Sequence, residues 1–109
     1  MADTFKVLGQ TNPSAATLTD SYTVPAATEA VISSVTVANR SSTGTAFRLS
    51  VAVAGAADSN EQYYAYDVSI GGNESKTFTL GITLAATDVM RVYATLATLS
   101  FNIFGVEKT

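Results

Sequence analysis

Apolar and polar residues alternate in short runs along most of this chain, and nothing longer than a turn or two keeps a helical period. The clearest run is 46–53, where Phe47, Leu49, Val51 and Val53 alternate with Ala46, Arg48, Ser50 and Ala52. Such a strand turns one face to a core. Just before it, 31–38 sets Val31, Val35 and Val37 on one face with Ser34 and Thr36 on the other, and the polar stretch 39–44 joins the two strands. A pair of this kind needs a second sheet over its apolar face.

The remaining segments extend the pattern. Phe5 and Val7 share a face of a first strand over 4–10, ended at the turn-forming Asn12-Pro13. Over 17–24, Leu18, Tyr22 and Val24 are in phase, and the intrusion of Asp20 predicts a bulge or break. Pro25 has no N–H for a ladder and stops that run. After a small polar loop at 54–61, the strand 62–70 carries Tyr64, Tyr66, Val68 and Ile70 in phase, and Gly71-Gly72-Asn73-Glu74 turns it. Phe78, Leu80, Ile82 and Leu84 define a sixth strand, in which Gly81 marks a bend or a close backbone approach. A seventh runs over 88–95; an eighth over 99–106 points Leu99, Phe101 and Ile103 inward and Phe104 outward. Eight short strands with turn signals predict an all-β fold, an antiparallel β-sandwich that is jelly-roll-like. At 109 residues there is room for one core, so 1–109 is expected to be a single domain.

Composition then narrows the function. Charged residues make up 14% of the chain, against about 25% in ordinary soluble domains, so part of the surface is expected to be covered by protein. A net charge of −3 and six scattered basic residues argue against a nucleic-acid partner. The N-terminus has no basic and apolar leader pattern, and no apolar run reaches the about 20 residues of a membrane helix. The expectation is a protein made in a cytosol and kept there until something assembles it, with no membrane partner.

Reactive chemistry is sparse. With no His and no Cys, Ser-His, Cys-His and thiolate-metal arrangements are excluded. Asp58 with Glu61, and Asp67 with Glu74, are near in sequence and are the only way to a polysaccharide-acting enzyme, but they read as solvated loop charges. The run 58–61 lacks the ligand spacing and glycine of an EF-hand, and Gly71-Gly72 lacks the lysine of a phosphate loop. No catalytic residue, cofactor or metal is therefore expected. Tyr63-Tyr64-Ala65-Tyr66 is the most suggestive cluster, because adjacent tyrosines on a strand face opposite sides. Sheet decoration, a subunit contact and a sugar-stacking platform all remain open for it.

Three stretches together carry a resemblance: Thr17 to Ala26 with its Tyr22-Thr23-Val24-Pro25 entry, the strand ending in Ala38-Asn39-Arg40-Ser41-Ser42, and Gly81 to Ala94, followed by Leu99-Ser100-Phe101 and Gly105. Over nearly the whole chain this resembles a family of small virion structural proteins of tailed bacteriophages. The resemblance implies a capsid decoration, or cement, protein that sits on the outer capsid surface as a homotrimer, with the major capsid protein as partner. Its alternative is a tail or fibre component that meets tail proteins or, through a carbohydrate-binding module, the host surface. The low charge density and the spare aromatics favour self-association, and the residues expected in protein contacts are Phe5, Val7, Leu8, Tyr63, Tyr64, Tyr66 and Phe104. The segment 2–10 is expected either to reach a neighbour as an extended arm or to form the first strand of its own sheet.

Overall fold

In the computed structural model, which describes residues 2–109, the alternating segments form eight strands: β1 (Asp3–Thr11), β2 (Thr19–Thr23), β3 (Glu29–Asn39), β4 (Thr45–Ala52), β5 (Tyr63–Ile70), β6 (Ser75–Leu84), β7 (Val89–Ala94) and β8 (Leu99–Lys108). They make two antiparallel four-stranded sheets, ordered β1-β8-β3-β6 and β2-β7-β4-β5. The only helical pieces among the described residues are single 3-10 turns at Val53–Gly55 and Asn60–Gln62. The fold is the all-β sandwich that the alternation predicts.

The core lies between the sheets. Ile32, Val35, Val37, Leu99, Phe101 and Ile103 of the first sheet meet Phe47, Leu49, Met90 and Val92 of the second. Phe47 sits at the centre, edge-on to Phe78 at 5.8 Å and to Phe101 at 6.1 Å. Burying each such side chain stabilises the fold by about 1.5–3 kcal/mol, and edge-to-face contact between rings adds to that.

Bulges account for each place where the phase differs from expectation. The expected break at Asp20 is a register shift between Asp20 and Tyr22. In β3, an extra residue at Ser33 shifts the register between Ile32 and Ser34. Ala30 and Ile32 therefore point inward before it, Val35 and Val37 after it, and Val31 joins the outer face instead of sharing theirs. In β5, Asp67 takes a left-handed φ of 52°, so Tyr66 turns out to solvent while Val68 and Ile70 turn in. β4 ends one residue early: Ala52 is buried, and Val53 is 71% exposed in the 3-10 turn that follows. A one-residue insertion inverts every side chain beyond it, and alternation alone does not reveal where the insertion falls.

The loops are tied by side chains. The Asn39 amide donates to the carbonyls of Thr43 and Gly71 and accepts the Ser41 N–H, joining the 39–44 loop to the 71–74 turn. Asp88 accepts N–H groups from Ala54 and Ala85, and Val24 exchanges backbone hydrogen bonds with Asp88 and Thr87 just before Pro25. The 2–10 segment forms β1, paired with β8 from Asp3 to Thr11, rather than an arm leaving the molecule. Met1 lies outside the described residues.

Candidate functional site

Register puts the outward residues of the first sheet in rows. Phe5, Val106, Val31 and Thr83 form one row; Val7, Phe104, Ser34 and Thr79 the next; Gln10, Asn102, Thr36 and Thr77 a third. Ser100, Ala38 and Ser75 continue on three strands. None of these side chains is charged; one further row, Asp3, Lys108 and Glu29, lies beyond Phe5 and closes that end of the face with charges. Phe5 is 80% exposed and Val7 47%, while Phe104, Val106 and Val31 are half-buried beside them, so one end of the face is an apolar patch. Toward the other end, Gln10 donates to Asn102 at 2.9 Å, the Thr36 and Thr77 hydroxyls meet at 3.3 Å, and Gln10, Asn12, Ser100 and Asn102 line a shallow depression.

The outer face of the second sheet is different in kind. The Arg48 guanidinium lies between the rings of Tyr66 and Tyr93, 4.1 and 4.3 Å from their centroids, and its Nε donates to Asp67 at 2.7 Å. Tyr63 meets Tyr66 edge-on at 5.1 Å. Burial, then a hydrogen bond to Asp58, pushes the Tyr63 hydroxyl up from its ordinary pKa. Nearby, Arg91 donates to Asp20 and to the carbonyls of Gly55 and Ala56, drawing the 3-10 turn onto the sheet. Here the charges are already paired.

A third group spans the gap between the sheets at one end. Glu107, only 8% exposed, accepts the Tyr22 hydroxyl at 2.7 Å and pairs with Lys6 at 2.8 Å. The hydrogen bond from Lys6, then that from Tyr22, holds its carboxyl below the ordinary glutamate range. This group links β1, β8 and β2.

The residues expected in contacts are thus divided among three places. Phe5, Val7 and Phe104 come together on the uncharged face. Tyr63 and Tyr66 are on the opposite side of the sandwich, while Tyr64 turns the other way, its hydroxyl 3.4 Å from the buried Met90 sulfur. Leu8 is the bulged residue of β1; it packs inward against the core, filling the space beside Gly105. Among the carboxylates, Asp67 is taken by Arg48, Glu74 accepts the Gly71 N–H at 2.7 Å, and Glu61 accepts the Ser59 hydroxyl, which lowers its pKa. No group of three metal-ligating side chains gathers among the described residues.

Reading the sequence did not single out Arg48, Tyr93 or Glu107. Arg48 stands at an outward position of the most regular strand, but its neighbours Tyr66 and Tyr93 come from strands whose register only the fold sets. No protein-family model matches this sequence, and no curated protein matches it.

Proposed function

We propose that this chain is a virion structural protein of a tailed bacteriophage, a capsid decoration (cement) protein that binds the outer capsid surface and stabilises the head. The observation that carries the reading is the three uncharged rows on the outer face of β1-β8-β3-β6, with exposed Phe5 and Val7, bounded at one end by Asp3, Lys108 and Glu29. The centres of protein interfaces are depleted in charge, because desolvating an ion costs several kcal/mol while hydroxyls and apolar groups desolvate far more easily. The resemblance in strand and turn motifs supplies the particle; the face supplies the means of holding it.

Topology supports the same reading. β1 pairs with β8, β2 with β7, β3 with β6 and β4 with β5, a nesting of strand pairs that supports a jelly-roll reading of the sandwich. Viral capsid proteins use this fold. In this role the partner is the major capsid protein, and a homotrimer mounted over several capsomers makes rupture break many contacts together.

The test mixes purified protein with undecorated capsids and measures co-sedimentation and head rupture on heating. Wild type is expected to pellet with capsids and raise the rupture temperature; Val7→Asp, which puts a charge in the face without entering the core, is expected to fold and fail to bind. Binding to isolated tails in place of capsids would overturn the capsid assignment. The Tyr63, Tyr66 and Tyr93 rings around Arg48 favour one second reading, a tail or fibre component with a carbohydrate site, which glycan-array binding lost in Tyr66→Ala would support.

A further inference from the structure

A four-stranded sheet has two edges, so this sandwich has four: β1 and β6 in one sheet, β2 and β5 in the other. Unpaired N–H and C=O groups on an edge attract a further strand, and proteins guard them with short strands, bulges or inward charges. Three of the edges are guarded here. β2 is five residues long and bulged at Asp20. β5 is bent by its left-handed Asp67. β1 carries Lys6 pointing inward to Glu107, and Gly9 and Thr11 at its far end are covered by Ser21 of β2.

β6 is the longest of the four edges; it has one bulge, where Leu80 and Gly81 stand opposite Ser33, and one charge in the inward phase, Lys76, near its start. It is ten residues long and has no proline. Its register against β3 shifts near Leu80 and Gly81, yet the alternation never breaks: Phe78, Leu80 and Ile82 all face inward and all remain half-exposed at the sandwich margin. The order of residue types is also nearly symmetric about Leu80, with Thr79 and Gly81, Phe78 and Ile82, and Thr77 and Thr83 at equal distances on either side. Antiparallel strands related by a two-fold axis at Leu80 would set apolar residues against apolar residues, and threonine against threonine or glycine.

We infer that β6 is a self-association edge: two copies of this chain pair antiparallel through β6, with Leu80 of one beside Leu80 of the other, joining two four-stranded sheets into one of eight. The occupant is a second copy because the edge complements itself. No like charges meet in this register, although the chain is acidic overall, and Lys76 falls opposite Leu84 of the second copy. A Cβ on Gly81 would meet nothing within 4 Å, which leaves room for the second strand's Thr79. The contact does not depend on the capsid reading. It is isologous and closes on two copies, the same residues serving on both sides.

Two experiments on the free full-length chain test it. The chain has no cysteine, so Leu80→Cys introduces the only thiol, and directly opposed strand positions are close enough for a disulfide. Under mild oxidation Leu80→Cys is expected to give covalent dimer, whereas Thr83→Cys, which faces residue 77 of the other copy, is expected to stay monomeric on a denaturing gel. In sedimentation velocity across a concentration series, Thr79→Lys with Gly81→Lys puts lysine opposite lysine twice and is expected to weaken the dimer about tenfold. Thr79→Glu with Gly81→Lys puts opposite charges in the same places and is expected to restore it. A wild-type protein that stays monomeric throughout the series overturns the inference. So does equal cross-linking at 80 and 83, or the same loss of dimer in both charge variants.

Discussion

Among the ion-paired side chains, Glu107→Ala carries the largest predicted cost. Its carboxylate is 8% exposed and serves two partners at once, the Tyr22 hydroxyl at 2.7 Å and Lys6 at 2.8 Å. Truncation strands the hydroxyl of Tyr22, itself 7% exposed, which costs about 1–3 kcal/mol for an unsatisfied buried donor. The Lys6 side chain is 46% exposed and can rehydrate, so losing that pair adds only about 0.5–1 kcal/mol. The total is roughly 2–4 kcal/mol, a fall in Tm of roughly 10–20 °C for a domain near this size. Glu107→Gln keeps an acceptor for Tyr22 and should lose about 1 kcal/mol.

Thermal and urea unfolding followed by circular dichroism measure both variants. A pH series adds a sign. Because the folded carboxyl titrates below its ordinary value of 4.5, its stabilisation is present above that pH and is lost as pH falls through the folded value. The gap between wild type and Glu107→Gln should therefore be full at neutral pH and close in acid. An alanine variant within about 0.5 kcal/mol of wild type, or a gap that does not depend on pH, would refute the account of Glu107 as a charged tie between the two sheets.

Other perturbations test other parts of the structure. Burial and the Glu107 hydrogen bond raise the Tyr22 pKa, and burial raises that of Tyr64, so in an alkaline absorbance titration these two should stay neutral well past the ordinary phenol value and ionise with unfolding. Ionisation of Tyr22 or Tyr64 ahead of unfolding would count against that. Gly105→Ala drives a methyl into the Val31 carbonyl and Leu8, and is expected to cost more than about 3 kcal/mol or prevent folding, whereas Gly81→Ala meets open space and should change stability by less than about 1 kcal/mol. Arg48→Ala removes two ring contacts and a half-exposed ion pair, for about 1–1.5 kcal/mol in urea unfolding. Arg48→Lys should recover less than half of that, because an ammonium lacks the flat guanidinium that fits between two rings; full recovery would sink the stacking argument.

Strand positions were legible because burial on one face imposes a period of two, and Phe78 to Leu84 or Leu99 to Ile103 carry that period without interruption. The Asp20 bulge was legible too, since a carboxylate stood where an apolar side chain was due. Ser33 and Asp67 gave no such warning: a serine suits either face, and Asp67 followed three tyrosines that also suit either face. The uncharged face was invisible for a different reason. It joins residues as distant as Val7 and Phe104, or Val31 and Val106, and only strand order makes them neighbours. The turn motifs that suggested a phage resemblance have local structural work here, Asn39 holding two loops and Val24 anchoring to Asp88.

Where the charges went bears on which surface is free to be covered. Arg48, Asp67, Arg91 and Asp20 are paired on one outer face, Lys6 and Glu107 are paired between the sheets, and on the outer face of β1-β8-β3-β6 the charges Asp3, Lys108 and Glu29 are confined to one end row, leaving three rows with none. Covering the Arg48 face would require either taking paired ions out of water or reproducing their solvation, at several kcal/mol per ion. Covering the uncharged face displaces water from Phe5, Val7 and Phe104 with a gain of about 25 cal/mol for each Å² of apolar surface. Its threonines, serines and amides require partners, but several already bond one another, as Gln10 does Asn102. The β6 edge borders that same sheet, so pairing there would extend the uncharged face across two copies without adding a charge to it, doubling the area presented to a single partner surface.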